Sequence, residues 1–250
     1  MGHDVAGLRA VVTGGSSGIG LASAQALAAA GARVAIVGRD EAKLARAAAA
    51  IDGEVQTVAA DLASQAGAAA MTEAVHDVFG QIDVLVANAG ASNAPELRDT
   101  TEAAFDKVIN VNLKSAFFTV LESLPVLADG ASVILTSSVA HDRGLLGDPL
   151  YAAAKAAVRS LGRGFAADPD LLSRRIRVNT VSFGAVSTPM TGSGSPEVAD
   201  AMRQWAGEFV PMKRLADATE AAAAVLFLAS AASSYMTGSE VAVDGGLAQL

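Results

Sequence analysis

Leu8-Arg9-Ala10-Val11-Val12-Thr13-Gly14-Gly15-Ser16-Ser17-Gly18-Ile19-Gly20 is a short β-branched run that breaks into glycine and serine, then enters an alanine-rich segment. A strand, a glycine turn and a helix in that order make the first crossover of a βαβ unit. Glycines let the backbone turn tightly and approach a pyrophosphate, whose charge the amides at the helix N-terminus then hold. The spacing of Gly14, Gly18 and Gly20 differs from G-x-G-x-x-G, but in this setting it predicts phosphate binding.

Outward from that turn the rhythm continues. Strands are read at Leu8–Thr13, Arg33–Val37, Val55–Ala60, Ile82–Ala87, Ser132–Ser137, Arg177–Val181 and Glu240–Val243. Helical patterns lie near 18–30, 40–51, 64–79, 101–124, 149–168 and 217–230. The alternation predicts an α/β, Rossmann-like, doubly wound parallel sheet with helices on both faces, in one domain spanning 1–250. Ser187 to Pro211 departs from the rhythm and is expected to be a mobile substrate loop, with Pro196 opening a short helix. Polar or small residues follow six strands in turn: Gly14–Gly20, Arg39, Asp61, Asn88–Gly90, Ser138 and Ser182–Gly184. Ligands of open parallel sheets bind beyond the carboxyl ends of the strands, so these positions outline one continuous site.

The chain has 250 residues, no cysteine and a formal net charge of −8. Disulfides and thiolate metal sites are excluded. His3, His76 and His141 have no metal-ligand spacing and are read as surface or loop residues, with only His141 close to Ser138. An acidic surface is a poor partner for nucleic acid or anionic lipid. No leader or membrane span is expected, which points to the cytoplasm. A composition of 52% hydrophobic residues leaves apolar surface to spare and favours an oligomer.

Tyr151 and Lys155 are four residues apart, on one face of a helix, with Ser138 thirteen residues upstream of the tyrosine. A neighbouring cation favours the phenolate and brings the phenol toward useful proton exchange, while a serine could hold a substrate oxygen. After the second strand, Gly38 stands where NAD sites place a ribose-binding carboxylate, and Arg39 could accept a 2′-phosphate. Asp40 either repels that phosphate or caps the next helix. The arginine favours NADP(H) over NAD(H).

TGGSSGIG (13–20), Asp61-Leu62, NAG (88–90), VNL (111–113), Ser138, YAAAK (151–155) and VDGG (243–246), in this order and spacing, resemble the short-chain dehydrogenase/reductase family from Leu8 to Gly246. The likeness is to single-domain bacterial ketoreductases similar to 3-oxoacyl thioester reductases and glucose dehydrogenases. It implies an NAD(P)-dependent oxidoreductase exchanging hydride with a ketone or secondary alcohol. Tyr151 would be the general acid or base, Lys155 would lower its pKa and bind ribose hydroxyls, Ser138 would hold the carbonyl oxygen, and Asn112 would anchor a relay water. The implied cofactor contacts are Gly14, Ser16, Ser17, Gly18, Ile19, Gly20, Arg39, Asp61, Leu62, Asn88, Ala89, Gly90, Tyr151, Lys155, Gly184, Val186 and Thr188. Asp61 would meet the adenine, Asn88 to Gly90 the adenosine ribose, and Thr188 the carboxamide region.

Family precedent also implies a homotetramer. Substrate walls are expected from Leu145, Leu146, Met190, Trp205 and Phe209, an apolar set suited to an uncharged ketone, with Ser138 at its end. Three positions depart from the pattern. Phe183 replaces a usual proline, Ala154 a serine and Ala87 an asparagine. A thioester reductase would need a basic patch for an acidic carrier, for which Arg174, Arg175 and Arg177 are candidates. A sugar or polyol dehydrogenase and a non-catalytic dinucleotide sensor remain open. An enoyl reductase would space the tyrosine and lysine more widely.

Overall fold

Seven strands line up as β3-β2-β1-β4-β5-β6-β7, every neighbouring pair parallel. The computed structural model describes residues 4–92, 97–142, 148–192 and 195–250. The strands are β1 Arg9–Thr13, β2 Arg33–Gly38, β3 Val55–Ala59, β4 Ile82–Ala87, β5 Leu127–Ser138, β6 Arg177–Phe183 and β7 Glu240–Val243. Between them run α1 Gly18–Ala29, α2 Glu41–Ala48, α3 Gln65–Phe79, α4 Glu102–Ile109, α5 Ser115–Ser123, α6 Pro149–Ala166, α7 Pro169–Ser173, α8 Pro196–Phe209 and α9 Ala218–Ala229.

The strands carry continuous apolar runs because both faces of the sheet are covered. On one face Val11, Val37, Leu85, Val133 and Leu135 pack against Met71 and Val75 of α3, Val120 of α5 and Val158 of α6. On the other, Val12, Ile36, Val86 and Ile134 meet Leu27 of α1, Leu44 of α2 and Val225 of α9. The expected doubly wound sheet is what forms. The chain winds from β1 to β3 on one side, then restarts at β4 on the other flank of β1. That reversal opens a crevice above the ends of β1 and β4.

Several local readings change. The pattern at 101–124 is not one helix: a π-helical turn at Asn110–Lys114 separates α4 from α5. β5 begins five residues early, at Leu127, with an irregular register beside β4. The segment expected to be a mobile loop is mostly helical, with the fourteen-residue α8 and a 3₁₀ turn at Pro189–Thr191.

Candidate active site

The ends of β1 and β4 are braced by one buried hydroxyl. Thr13 Oγ1 donates to the Val86 carbonyl at 3.3 Å and accepts the amides of Asn88 and Ala89 at 2.9 and 3.0 Å. Asn88 Nδ2 returns a bond to the Thr13 carbonyl at 3.0 Å. The glycines of the turn are required by this closeness. A Cβ on Gly20 would sit 2.2 Å from the Gly14 carbonyl oxygen, and Gly14 itself has a positive φ of 65°. At the start of α1, Ser17 makes no side-chain cap bond and the first turn has no acidic residue. Its amides are therefore suited to an anion.

Above this turn lies a cavity of about 310 Å³. Gly14, Ser16 to Gly20, Arg39, Asp61, Leu62, Asn88 to Gly90, Thr188 and Met190 all line it. Gly38, read from sequence as the position of the ribose-binding carboxylate, lines it too, and so do Val37, Ala60, Ala63, Ala91, Val111, Ser115 and Pro189, which were not singled out as contacts. Val37 and Ala60 sit at the ends of β2 and β3, so the strand-end rule could have found them. Of the expected cofactor contacts, Gly184, Val186, Tyr151 and Lys155 are not on its wall. Val186 is buried in the core, and a Cβ on Gly184 would meet Asp244 Cα at 2.7 Å, so that glycine serves close packing.

Asp61 does not cap α3; Ser64 does, by accepting the Gly67 amide at 3.1 Å, while Asp61 accepts the Ala63 amide. Asp40 is a cap. It accepts the Lys43 amide at 2.9 Å, and that bond holds its carboxyl below the usual range. Among the described residues Arg39 has no ion-pair partner.

The catalytic candidates converge from α6, β5 and the π turn. Lys155 is buried, donates to the Thr136 carbonyl at 2.9 Å and has Nζ 5.7 Å from the centroid of the Tyr151 ring. Ser138 hydrogen-bonds the phenol. Asn112 is buried and clamps the loop after β4: its Oδ1 accepts the Ala91 amide at 3.1 Å and its Nδ2 donates to the Ala91 carbonyl at 2.9 Å. A Cβ on Gly90 would lie 2.9 Å from Asn112 Oδ1 and 3.3 Å from Lys155 Nζ, so any larger residue would press on both side chains.

The expectation that Lys155 depresses the phenol is not what this structure gives. Burial pushes Tyr151 up to about 12; the Ser138 bond works against that rise and the charge of Asp148 adds to it. Burial likewise brings Lys155 down to about 8.

Leu145 and Leu146 lie outside the described residues. Trp205 does not line the cavity; it stacks on Phe209 at 5.7 Å and packs with Val139, Val210 and Leu247. Phe209 is half exposed. His141 is no surface residue. Its ring is buried, with Nε2 2.9 Å from Glu240 and Nδ1 3.1 Å from Asp142. These three could approach a metal, but Arg159 already ion-pairs with both carboxylates.

A family model described as enoyl-(acyl carrier protein) reductase matches residues 14–248. The oxidoreductase asL5 of Sarocladium schorii is 39% identical over 98% of this chain and 97% of its own length. Levodione reductase of Leifsonia aquatica is 36% identical over 94% of this chain and 92% of its own. Among solved structures, the Pseudomonas aeruginosa RhlG/NADP active-site complex superposes with a TM-score of 0.88 at 34% identity, covering 98% of both chains. The chain belongs to the short-chain dehydrogenase/reductase family and is an oxidoreductase of that family, whose members use nicotinamide cofactors.

Proposed function

We propose that the protein interconverts a medium-sized, largely uncharged ketone and its secondary alcohol, with NADP(H) preferred over NAD(H). The observation that carries this reading is the meeting of Tyr151, Ser138 and Lys155 beside a glycine-lined cavity at one edge of the sheet. A bound nicotinamide cofactor supplies or accepts the hydride. The residues fit such a group, because Gly14, Gly18 and Gly20 line the cavity and the first turn of α1 there has neither a side-chain cap nor an acidic residue to compete with a phosphate.

Ser138 orients the carbonyl oxygen and Tyr151 gives it a proton in reduction, or takes one in oxidation. The neutral phenol that burial favours is the form from which reduction starts. Lys155 places a cation beside that exchange and Asn112 fixes the loop that faces it. Arg39 lines the cavity with no ion-pair partner among the described residues, while Asp40 is committed to its helix, which supports a 2′-phosphate contact. The NADP complex of the P. aeruginosa relative agrees with that choice. Exposed Phe105 and Leu121 on α4 and α5 support an assembly, for which we propose a homotetramer.

A carrier-protein thioester is a weaker substrate candidate. Arg174 is consumed by Asp129, Asp170 and two carbonyls, and Arg177 by Ser233, Leu228 and Ser230. Arg177 also begins β6, at the sheet edge opposite the cavity.

The test is oxidation of NADPH and NADH across ketones, β-ketoesters, thioester mimics and quinones, with Tyr151→Phe and Arg39→Ala alongside. Ketone turnover that vanishes in Tyr151→Phe, with Arg39→Ala raising KM for NADPH but not NADH, is the expected result. Turnover retained by Tyr151→Phe overturns the assignment of the acid, and an unchanged cofactor ratio in Arg39→Ala overturns the cofactor preference.

A further inference from the structure

The carboxylate of Asp148 is held on both sides. Oδ1 accepts the Tyr151 amide at 2.9 Å, which makes Asp148 the N-cap of α6. Oδ2 accepts the Ser92 hydroxyl at 2.9 Å. Ser92 directly follows Ala91, the residue clamped by Asn112. The loop after β4 is thus fastened first to the π turn and then to the first turn of the helix that carries Tyr151 and Lys155.

A serine, threonine or asparagine would cap that helix about as well as aspartate. What aspartate adds is a negative charge three residues from a buried phenol, and a second oxygen that reaches the loop. Among the described residues, Asp148 is the one charge that acts on the phenol in this way. α6 contributes Lys155, β5 the neutral Ser138, the π turn the neutral Asn112 and, at its far end, the half-buried Lys114, and the loop after β4 the neutral Ser92. The charged residues of α4, Glu102, Asp106 and Lys107, are exposed, and His141 faces Glu240 and Asp142. Asp148 is the charged group whose field pushes the phenol up, alongside the larger effect of burial.

We propose that Asp148 is a positioning residue that sets the pH range over which Tyr151 exchanges its proton, with Ser92 moderating its charge by donating to the free carboxylate oxygen. This rests on the reading of Tyr151 as the acid and base. The sign follows from electrostatics. A carboxylate opposes phenolate formation, so neutralising it eases ionisation, whereas removing its Ser92 donor concentrates the charge and hinders ionisation.

The experiment compares Asp148→Asn, Asp148→Ala and Ser92→Ala by the pH profile of kcat/KM for alcohol oxidation, which requires the phenolate. Asp148→Asn keeps the cap, so it should hold Tm while moving the acid limb down by about half a pH unit, roughly threefold in rate on that limb. Ser92→Ala should move the limb the other way. Asp148→Ala should lower Tm as well, through the lost cap.

A second readout does not need turnover. The chain has two tyrosines, and Tyr235 is fully exposed, so Tyr235→Phe leaves Tyr151 as the sole phenol for an absorbance titration. Adding Asp148→Asn to that background should lower the midpoint. An unmoved limb and an unmoved midpoint in folded Asp148→Asn would refute the proposal, as would an unmoved limb in Ser92→Ala if Asp148→Asn does not fold. Turnover surviving Tyr151→Phe would instead strike the acid-base reading, while the absorbance titration would still judge Asp148.

Discussion

Replacing Thr13 with valine exchanges a buried hydroxyl for a methyl of nearly the same shape, so packing is preserved and hydrogen bonding is not. Asn88 keeps a partner, since its amide also reaches the Val86 carbonyl at 3.0 Å. The Ala89 amide loses the Thr13 acceptor and is left without it in a part-buried setting. An unmade bond of this kind costs about 1–3 kcal/mol, which puts the whole change near 2 kcal/mol. In a chain of this size that lowers Tm by about 4–8 °C. Thr13→Ser keeps the hydroxyl and gives up one methyl, worth about 0.8 kcal/mol. Thermal denaturation of the two variants beside the native protein isolates the hydroxyl. The valine variant should be the less stable of the pair, and its NADPH KM should rise as the loop from Asn88 loses its brace. A valine variant as stable as the serine one would refute the idea that this hydroxyl joins the two strand ends.

Gly90→Ala presses a methyl between the ends of two side chains, Asn112 and Lys155, so the fold should survive while kcat falls by about 10²-fold from a displaced lysine. Gly20→Ala meets backbone instead and should yield little folded protein; comparable expression and activity for the two would contradict the geometry. Lys155→Met removes a buried ammonium whose pKa has been lowered from 10.5 to about 8. The penalty for burying that charge, about 3 kcal/mol, is fully present below pH 8 and fades as pH rises toward 10.5. The inactive methionine variant should therefore melt above the native protein at pH 7, with the gap closing in alkali; a lower Tm at pH 7 would count against it. Asp83 accepts the amide, Nε and Nη2 of Arg9. Burial raises its carboxyl, but the Arg9 bonds outweigh that and leave it below its ordinary value. Its stabilisation is thus present above the unfolded carboxyl range and lost as pH falls through it, and Asp83→Asn should narrow the difference in Tm between pH 7 and pH 3.

Strand positions were legible because buried parallel strands are written as unbroken apolar runs, as in Ala10-Val11-Val12 and Val84-Leu85-Val86. Residues at strand ends were legible for the same reason, since the sheet carries them to one edge. What stayed hidden depended on contacts distant in sequence. The π turn around Asn112 has no composition of its own and is seen only where that side chain reaches Ala91, twenty-one residues away. His141 looked like a loop residue because Glu240, ninety-nine residues on, is what draws it inward. Arg174 and Arg177 looked available because the carbonyls that absorb them lie in other elements. Asp148 drew no reading from sequence, because the partner of its second oxygen, Ser92, lies fifty-six residues away.

The brace between Thr13 and the Asn88–Ala89 loop joins segments more than seventy residues apart. A cradle assembled across such a gap does not exist in any partly made chain that stops short of β4. Binding competence therefore requires the middle of the sheet to close. A dinucleotide seated there holds shut the seam between the two halves of the winding, so occupancy would raise the stability of the joint on which the rest of the molecule depends.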